Sequence, residues 1–231
     1  MEADLVARLE EKERQLERYA ADLRETFKAE RVRSAELRAS YMATVRALAN
    51  AVEARDAYTG RHAERVAAYG LTIAAAAGLS LSDEPQIEFG FLLHDIGKVA
   101  VPDAILFKPG PLTADEYTLI TAHPMIGWEI LRHIDFLDDA KTVVRHHHER
   151  WDGTGYPDGL AGDDIPIEAR IVAAVDAYSA MTIERVYRRP MERPEAIAEL
   201  QRSAGTHLDP AVVQALIGVL ERAVGELDRA A

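Results

Sequence analysis

The first 50 residues contain neither glycine nor proline, and no other feature of the chain constrains its fold as much. Nothing in that run interrupts a helix, and its abundant Glu, Arg, Ala and Leu favour one. A single long helix is expected from residue 1 to about residue 50. Leu9, Leu16, Leu23 and Leu37 fall on a seven-residue repeat that Glu30 breaks, which is a coiled-coil signal. The companions set against these leucines, Lys12, Tyr19, Thr26 and Arg33, make a poor seam. Two arrangements accommodate the pattern: a parallel homodimer through this helix, which ranks modestly ahead, and a single amphipathic helix lying on its own domain.

After "DAYTG" the chain reads as successive helices. They are expected at 62–77, ending at Gly78, then at 83–95, 113–122, 124–133, 137–149 and 168–181. "TADE" matches a capping box and opens the third of these. Another helix begins near Pro194, and the last has Asp209 as N-cap and Pro210 at its first position. "VPDAILFKPGPL" and "DGTGYPDGLAGDDIP" read as loops. No strand pattern or internal repeat stands out, so the fold class is all-α. At 231 residues the chain suits one domain plus an extension. The division is set at a helical or coiled-coil segment over 1–44 and a domain over 45–231.

The absence of cysteine removes disulfides and thiolate metal sites, so any metal must be held by nitrogen and oxygen. The charged N-terminus has no apolar core of a secretory signal, and the longest weakly polar stretches are short of a membrane span. A cytoplasmic protein without membrane insertion is expected. A net charge of −12 speaks against a general nucleic-acid binder. An anionic substrate would need local positive charge from metals or a few Arg and Lys.

The candidates for chemistry are His62, His94, Asp95, His123, His147, His148 and Asp176, drawn from separate expected helices or their ends. Neutral imidazoles and carboxylates are the usual ligands of first-row metals where sulfur is absent. One carboxylate has two oxygens and can hold two cations together. Two metals about 3.5–4 Å apart are a common device for cleaving a phosphodiester. Each residue also has a plainer reading. His123, before Pro124, could cap a helix, and Asp176 could be a hydrogen-bonded core residue, although unpaired burial is costly. Arg185 and Arg188 could be solvated helix charges, and Tyr156 a packed loop anchor. His133 and His207 are assigned no function. The plain reading of the seven ligand candidates, however, must hold for every member at once.

The segments "TGRHAERV", "LLHDIGKVAVPDAIL", "HP…G", "HHERWDGTGYPDGLAGDDIPIEARI" and "VDAYSAM" together resemble an HD-GYP domain from about residue 45 to 225. That family is a branch of the HD phosphohydrolases that cleaves cyclic di-GMP. The resemblance implies a helical bundle and two divalent metals per chain, iron or manganese. His62, His94, Asp95 and Asp176 would hold one metal, and Asp95 would bridge to a second held by His123, His147 and His148. His146 would be a neighbour only. Lys98 would contact the scissile phosphate, Arg185 and Arg188 the other phosphates, and Tyr156 a guanine. Gly153, Gly155 and Gly159 would give the loop the backbone angles such a clamp needs. The products would be linear pGpG, with further cleavage to GMP.

The chain departs from the family pattern at Tyr58, where some members carry a glutamate for a third metal, at Ser179 and at Val186. Neither of the last two removes an implied ligand, but both bear on substrate fit or rate. The long helix resembles those that join upstream sensors to such domains, so a sensor or regulatory partner is implied. Two rivals stand beside this reading. One is an HD-type hydrolase of another nucleotide, such as a mixed cyclic dinucleotide or a nucleoside polyphosphate. The other is a silent receptor that binds cyclic di-GMP without cleaving it.

Overall fold

The computed structural model describes residues 2–55, 62–76, 85–182 and 189–230, with side chains from residue 4 onward except at 85 and 223–230. The chain divides into two compact units, 1–44 and 45–231. The first is a single run of helix α1 (Glu2–Glu53), as the unbroken helix-forming composition dictates. Along it Leu9, Leu16, Leu23 and Leu37 are all more than half exposed.

The second unit holds the end of α1 and helices α2 (His62–Ala76), α3 (Pro85–Leu93), α4 (Asp103–Leu106) and α5 (Ala114–Thr121). It continues with α6 (His123–Leu131), α7 (Asp138–His146), α8 (Ile167–Thr182), α9 (Arg193–Ser203) and α10 (Pro210–Ala230). No strand forms among the described residues, so the all-α class holds. α3 packs between α2 and α7, α8 crosses α2, and α9 and α10 close over α8. Phe91, Ile73, Ile171, Val175 and Leu216 are fully buried at the junctions of these helices. The expected capping box is present: Thr113 Oγ1 accepts from Glu116 N at 3.3 Å, and Glu116 Oε2 accepts from Thr113 N at 2.7 Å. Asp209 Oδ1 accepts from Ala211 N at 2.7 Å and starts α10.

Helix boundaries differ from expectation where they matter most. α3 stops at Leu93, and His94 and Asp95 lie in a turn that leads into a 3₁₀ segment, Ile96–Ala100. The 3₁₀ segment lies against α6: a Cβ on Gly97 would overlap the His123 carbonyl and the Gly127 amide. α7 likewise ends at His146, and His147 and His148 occupy the turn beyond it. The expected loop over 101–112 contains the short helix α4, which starts after Pro102. The expected helix end at Gly78 lies outside the described residues.

Candidate metal centre

Each histidine of the site comes from a helix end. His62 opens α2, His123 opens α6, and His94, His147 and His148 follow the last turns of α3 and α7. Helix ends carry side chains inward at points where the backbone itself is turning away, which lets five rings meet without a shared helix face. His62, His94, His123 and His147 are buried, and Asp95 is partly buried.

Two clusters form, and Asp95 belongs to both. His62, His94 and Asp95 offer ligand atoms within 4.8 Å of one another, and so do Asp95, His123, His147 and His148. The two carboxylate oxygens divide between them. Asp95 Oδ2 lies 3.4 Å from His94 Nε2, whereas Oδ1 lies 3.2 Å from His123 Nε2 and 3.8 Å from His147 Nε2. Asp176 Oδ1 is 3.1 Å from His62 Nε2, although Asp176 is not part of either mutually close set. Lys98 Nζ reaches Asp95 Oδ2 at 2.7 Å, across one turn of the 3₁₀ segment.

The rings are held by their other nitrogens. His94 Nδ1 meets the Phe91 carbonyl at 2.8 Å, His123 Nδ1 that of Ile120 at 2.7 Å, and His147 Nδ1 that of Val144 at 2.9 Å. A ring that donates from Nδ1 keeps its lone pair at Nε2, the side on which the clusters form. His148 lays its ring against Tyr156, with centroids 5.0 Å apart and planes 26° from parallel.

The charges suit cation binding. Burial works against ionisation of Asp95, but Lys98, His94 and His123 outweigh it and hold the carboxyl well below its usual range. Asp176 is likewise lowered against the effect of burial, by His62 and His94. Burial and neighbouring rings push His147 well down and His148 down to about 3. Burial acts in the same sense on His94, yet Asp95 and Asp176 carry it up to about 9. Ionised Asp95 and Asp176 and neutral His147 and His148 are in the protonation states that ligands need, whereas His94, held charged by the two carboxylates, must give up a proton when a cation binds.

A metal pair fits this donor set. His94 Nε2 is buried with no hydrogen-bonding partner among the described residues. His123 Nε2 and His147 Nε2 face each other at 3.2 Å, so they cannot both carry protons without a clash of donors. A cation between such atoms satisfies them.

The loop after the histidine run folds back on its own origin. Tyr156 N donates to the His148 carbonyl at 3.3 Å. Gly153 and Gly159 have φ of 77° and 70°, the left-handed region that glycine adopts freely. Gly155 serves a different purpose from the one expected of it, because a Cβ there would meet the Glu149 and Arg150 backbone. His146 turns away from the cluster, with Nε2 3.0 Å from Asp158 Oδ2, and Arg145 holds the same carboxylate through two bonds of 2.7 Å. Arg185, Arg188, Tyr58 and Val186 lie outside the described residues.

Sequence reasoning passed over Glu149, which is 2% exposed and accepts from Asp158 N at 2.7 Å, Gly159 N at 3.2 Å and Leu160 N at 3.1 Å. Its one signal in the sequence is an acid directly after two ligand candidates and before a glycine-rich loop.

The model of the HD domain family matches residues 46–212. The chain belongs to the HD domain family. Its own histidine run and GYP loop give it the HD-GYP pattern within that family. The 3′3′-cGAMP-specific phosphodiesterase 2 of Vibrio cholerae is 42% identical to this HD domain chain over 184 residues, 79% of this chain and 35% of the relative. The cyclic di-GMP phosphodiesterase response regulator RpfG of Xanthomonas campestris is 40% identical over 192 residues, 81% of this chain and 51% of the relative. The chain thus spans about half or less of the length of these curated relatives. Among solved structures, Bd1817 of Bdellovibrio bacteriovorus, an HDG"Y"P protein, shares the fold with a TM-score of 0.58 at 20% identity, over 71% of this chain and 53% of that one.

Proposed function

We propose that this HD domain is a metal-dependent phosphodiesterase that hydrolyses a cyclic dinucleotide, with cyclic di-GMP as substrate and pGpG or GMP as product. One observation carries the reading: Asp95 turns one oxygen to each of two histidine clusters, as a carboxylate bridging two cations would. In this reading His62, His94, Asp95 and Asp176 hold one metal, and Asp95, His123, His147 and His148 the other. Bound there, two cations would activate water and neutralise charge on a phosphoryl group. The nitrogen and oxygen donors suit iron or manganese.

The chain's own side chains supply the rest. Lys98, within reach of Asp95, is placed to steady an anionic phosphate beside the cluster. Tyr156 stacks on the His148 ring and forms an aromatic wall beside this ligand candidate. A base of the substrate would meet this wall, and Arg185 and Arg188 are kept as phosphate contacts on the resemblance alone. The helical segment 1–44 is read as a connector to an upstream sensor or regulatory partner. A homodimer through that segment is part of the same reading.

A second substrate has a specific observation in its favour, since the Vibrio relative is named for 3′3′-cGAMP. Purification without oxygen, quantification of bound metal and incubation with each dinucleotide in turn separate the readings. About two metals per chain and linear pGpG or GMP from cyclic di-GMP are expected. The Asp95→Ala variant should lose metal and turnover together, and an active metal-free variant would sink the proposal. Faster turnover of 3′3′-cGAMP would reassign the substrate. Full metal occupancy with both nucleotides intact would leave a receptor.

A further inference from the structure

The partner of His62 differs in kind from those of its neighbours. His94, His123 and His147 each place Nδ1 on the carbonyl three residues earlier, in the last turn of the helix that precedes each ring. His62 Nδ1 instead meets the Ser179 hydroxyl at 3.0 Å, 117 residues away in sequence. Ser179 lies on α8 and is 5% exposed. Asp176, one turn earlier on the same helix, lies 3.1 Å from the other ring nitrogen, Nε2. One face of α8 therefore grips both edges of the His62 ring, since residues three apart on a helix are neighbours.

The chemistry of the two contacts is unequal. A hydroxyl can accept a hydrogen bond from an imidazole N–H as well as donate one, and a carboxylate only accepts when ionised. If Nδ1–H points to Ser179, the Nε2 lone pair is left on the side of Asp176, where both residues can bind one cation. If the proton sits on Nε2, it faces Asp176 and blocks that use. A bond to the non-ligating nitrogen is the usual way in which a ligand histidine is oriented and its tautomer fixed.

We propose that Ser179 is the positioning residue of His62: its Oγ accepts the Nδ1–H and so commits Nε2 to the metal shared with His94 and Asp95. The proposal rests on the metal reading above and adds a residue to it. It also gives a role to a position where the chain departs from the family pattern. Ser179 acts here through His62, whose Nδ1 it meets.

The test uses the whole chain, labelled with ¹⁵N-histidine and loaded with zinc as a diamagnetic probe. In the wild type the His62 Nδ1–H resonance should be protected from exchange with solvent, and zinc should bind at two sites. Ser179→Ala should lose that protected resonance and weaken one zinc site by about tenfold or more, with the other unchanged. Ser179→Thr keeps the hydroxyl and should restore both. A Ser179→Ala chain with the resonance still protected and both zinc affinities unchanged overturns the proposal, as does a Thr variant that behaves like the Ala one. A wild-type chain that binds no zinc overturns the metal reading itself, and this proposal with it.

Discussion

Glu149 shows how much a single buried acid can organise. Three successive backbone N–H groups of the GYP loop converge on its two oxygens, and the loop they anchor lays Tyr156 on His148. Gln in its place keeps the shape but turns an NH₂ toward an amide donor. Loss of a charge-assisted bond and a donor left facing a donor should cost roughly 1–3 kcal/mol. Urea unfolding of Glu149→Gln should show that loss, and hydrogen exchange should quicken at Asp158, Gly159 and Leu160. Unchanged exchange at those amides would mean that the loop is held by something else. Arg145 is the obvious alternative, because its paired bonds to Asp158 fasten the same loop from outside.

Among the helices, α1 presents an unusual amount of apolar surface. Leu9, Leu16, Leu23, Phe27 and Leu37 are all between 51% and 65% exposed. Read four residues on from each leucine, the companions become Glu13, Ala20, Phe27 and Tyr41, a better seam than the Lys12, Tyr19, Thr26 and Ser40 found three residues on. A helix of this kind in water is expected to pair with a second copy. Light scattering on the intact chain should give a dimer, and Leu23→Lys, which puts a charge into the seam, should shift it toward monomer by tenfold or more in dissociation constant, about 1.4 kcal/mol. A monomeric wild type would return α1 to the lone amphipathic helix.

At the scale of the whole domain, the site ties together parts of the chain that otherwise meet only through packing. Its ligand candidates come from α2, the turn after α3, α6, the turn after α7, and α8. Cations held there would bind the folded chain and not the unfolded one. At a hundred times the dissociation constant, such binding stabilises the fold by about 2.7 kcal/mol per site. For a domain of this size, that corresponds to a fall in melting temperature of roughly 5–10 °C when a chelator strips one site. Calorimetry before and after chelation, with recovery on adding manganese, checks this. A melting temperature indifferent to chelator would argue against a structural link between the metals and the bundle.

The sequence by itself determined the class and the register of the parts. An unbroken run of helix formers gives α1, "TADE" and Asp209 start helices where they should, and a histidine run before a glycine-rich loop marks the site. These signals are local, because capping, propensity and turn chemistry act within a few residues. What only the tertiary structure decided lies between distant residues. Asp95 dividing its oxygens between two clusters, Ser179 meeting His62 from another helix and Glu149 buried under the loop all depend on where helix ends come to rest. The early ends of α3 and α7 belong with them. The turn after α3 is pressed on α6 where Gly97 meets the His123 carbonyl, and a close approach between residues 26 positions apart leaves no pattern in a single sequence.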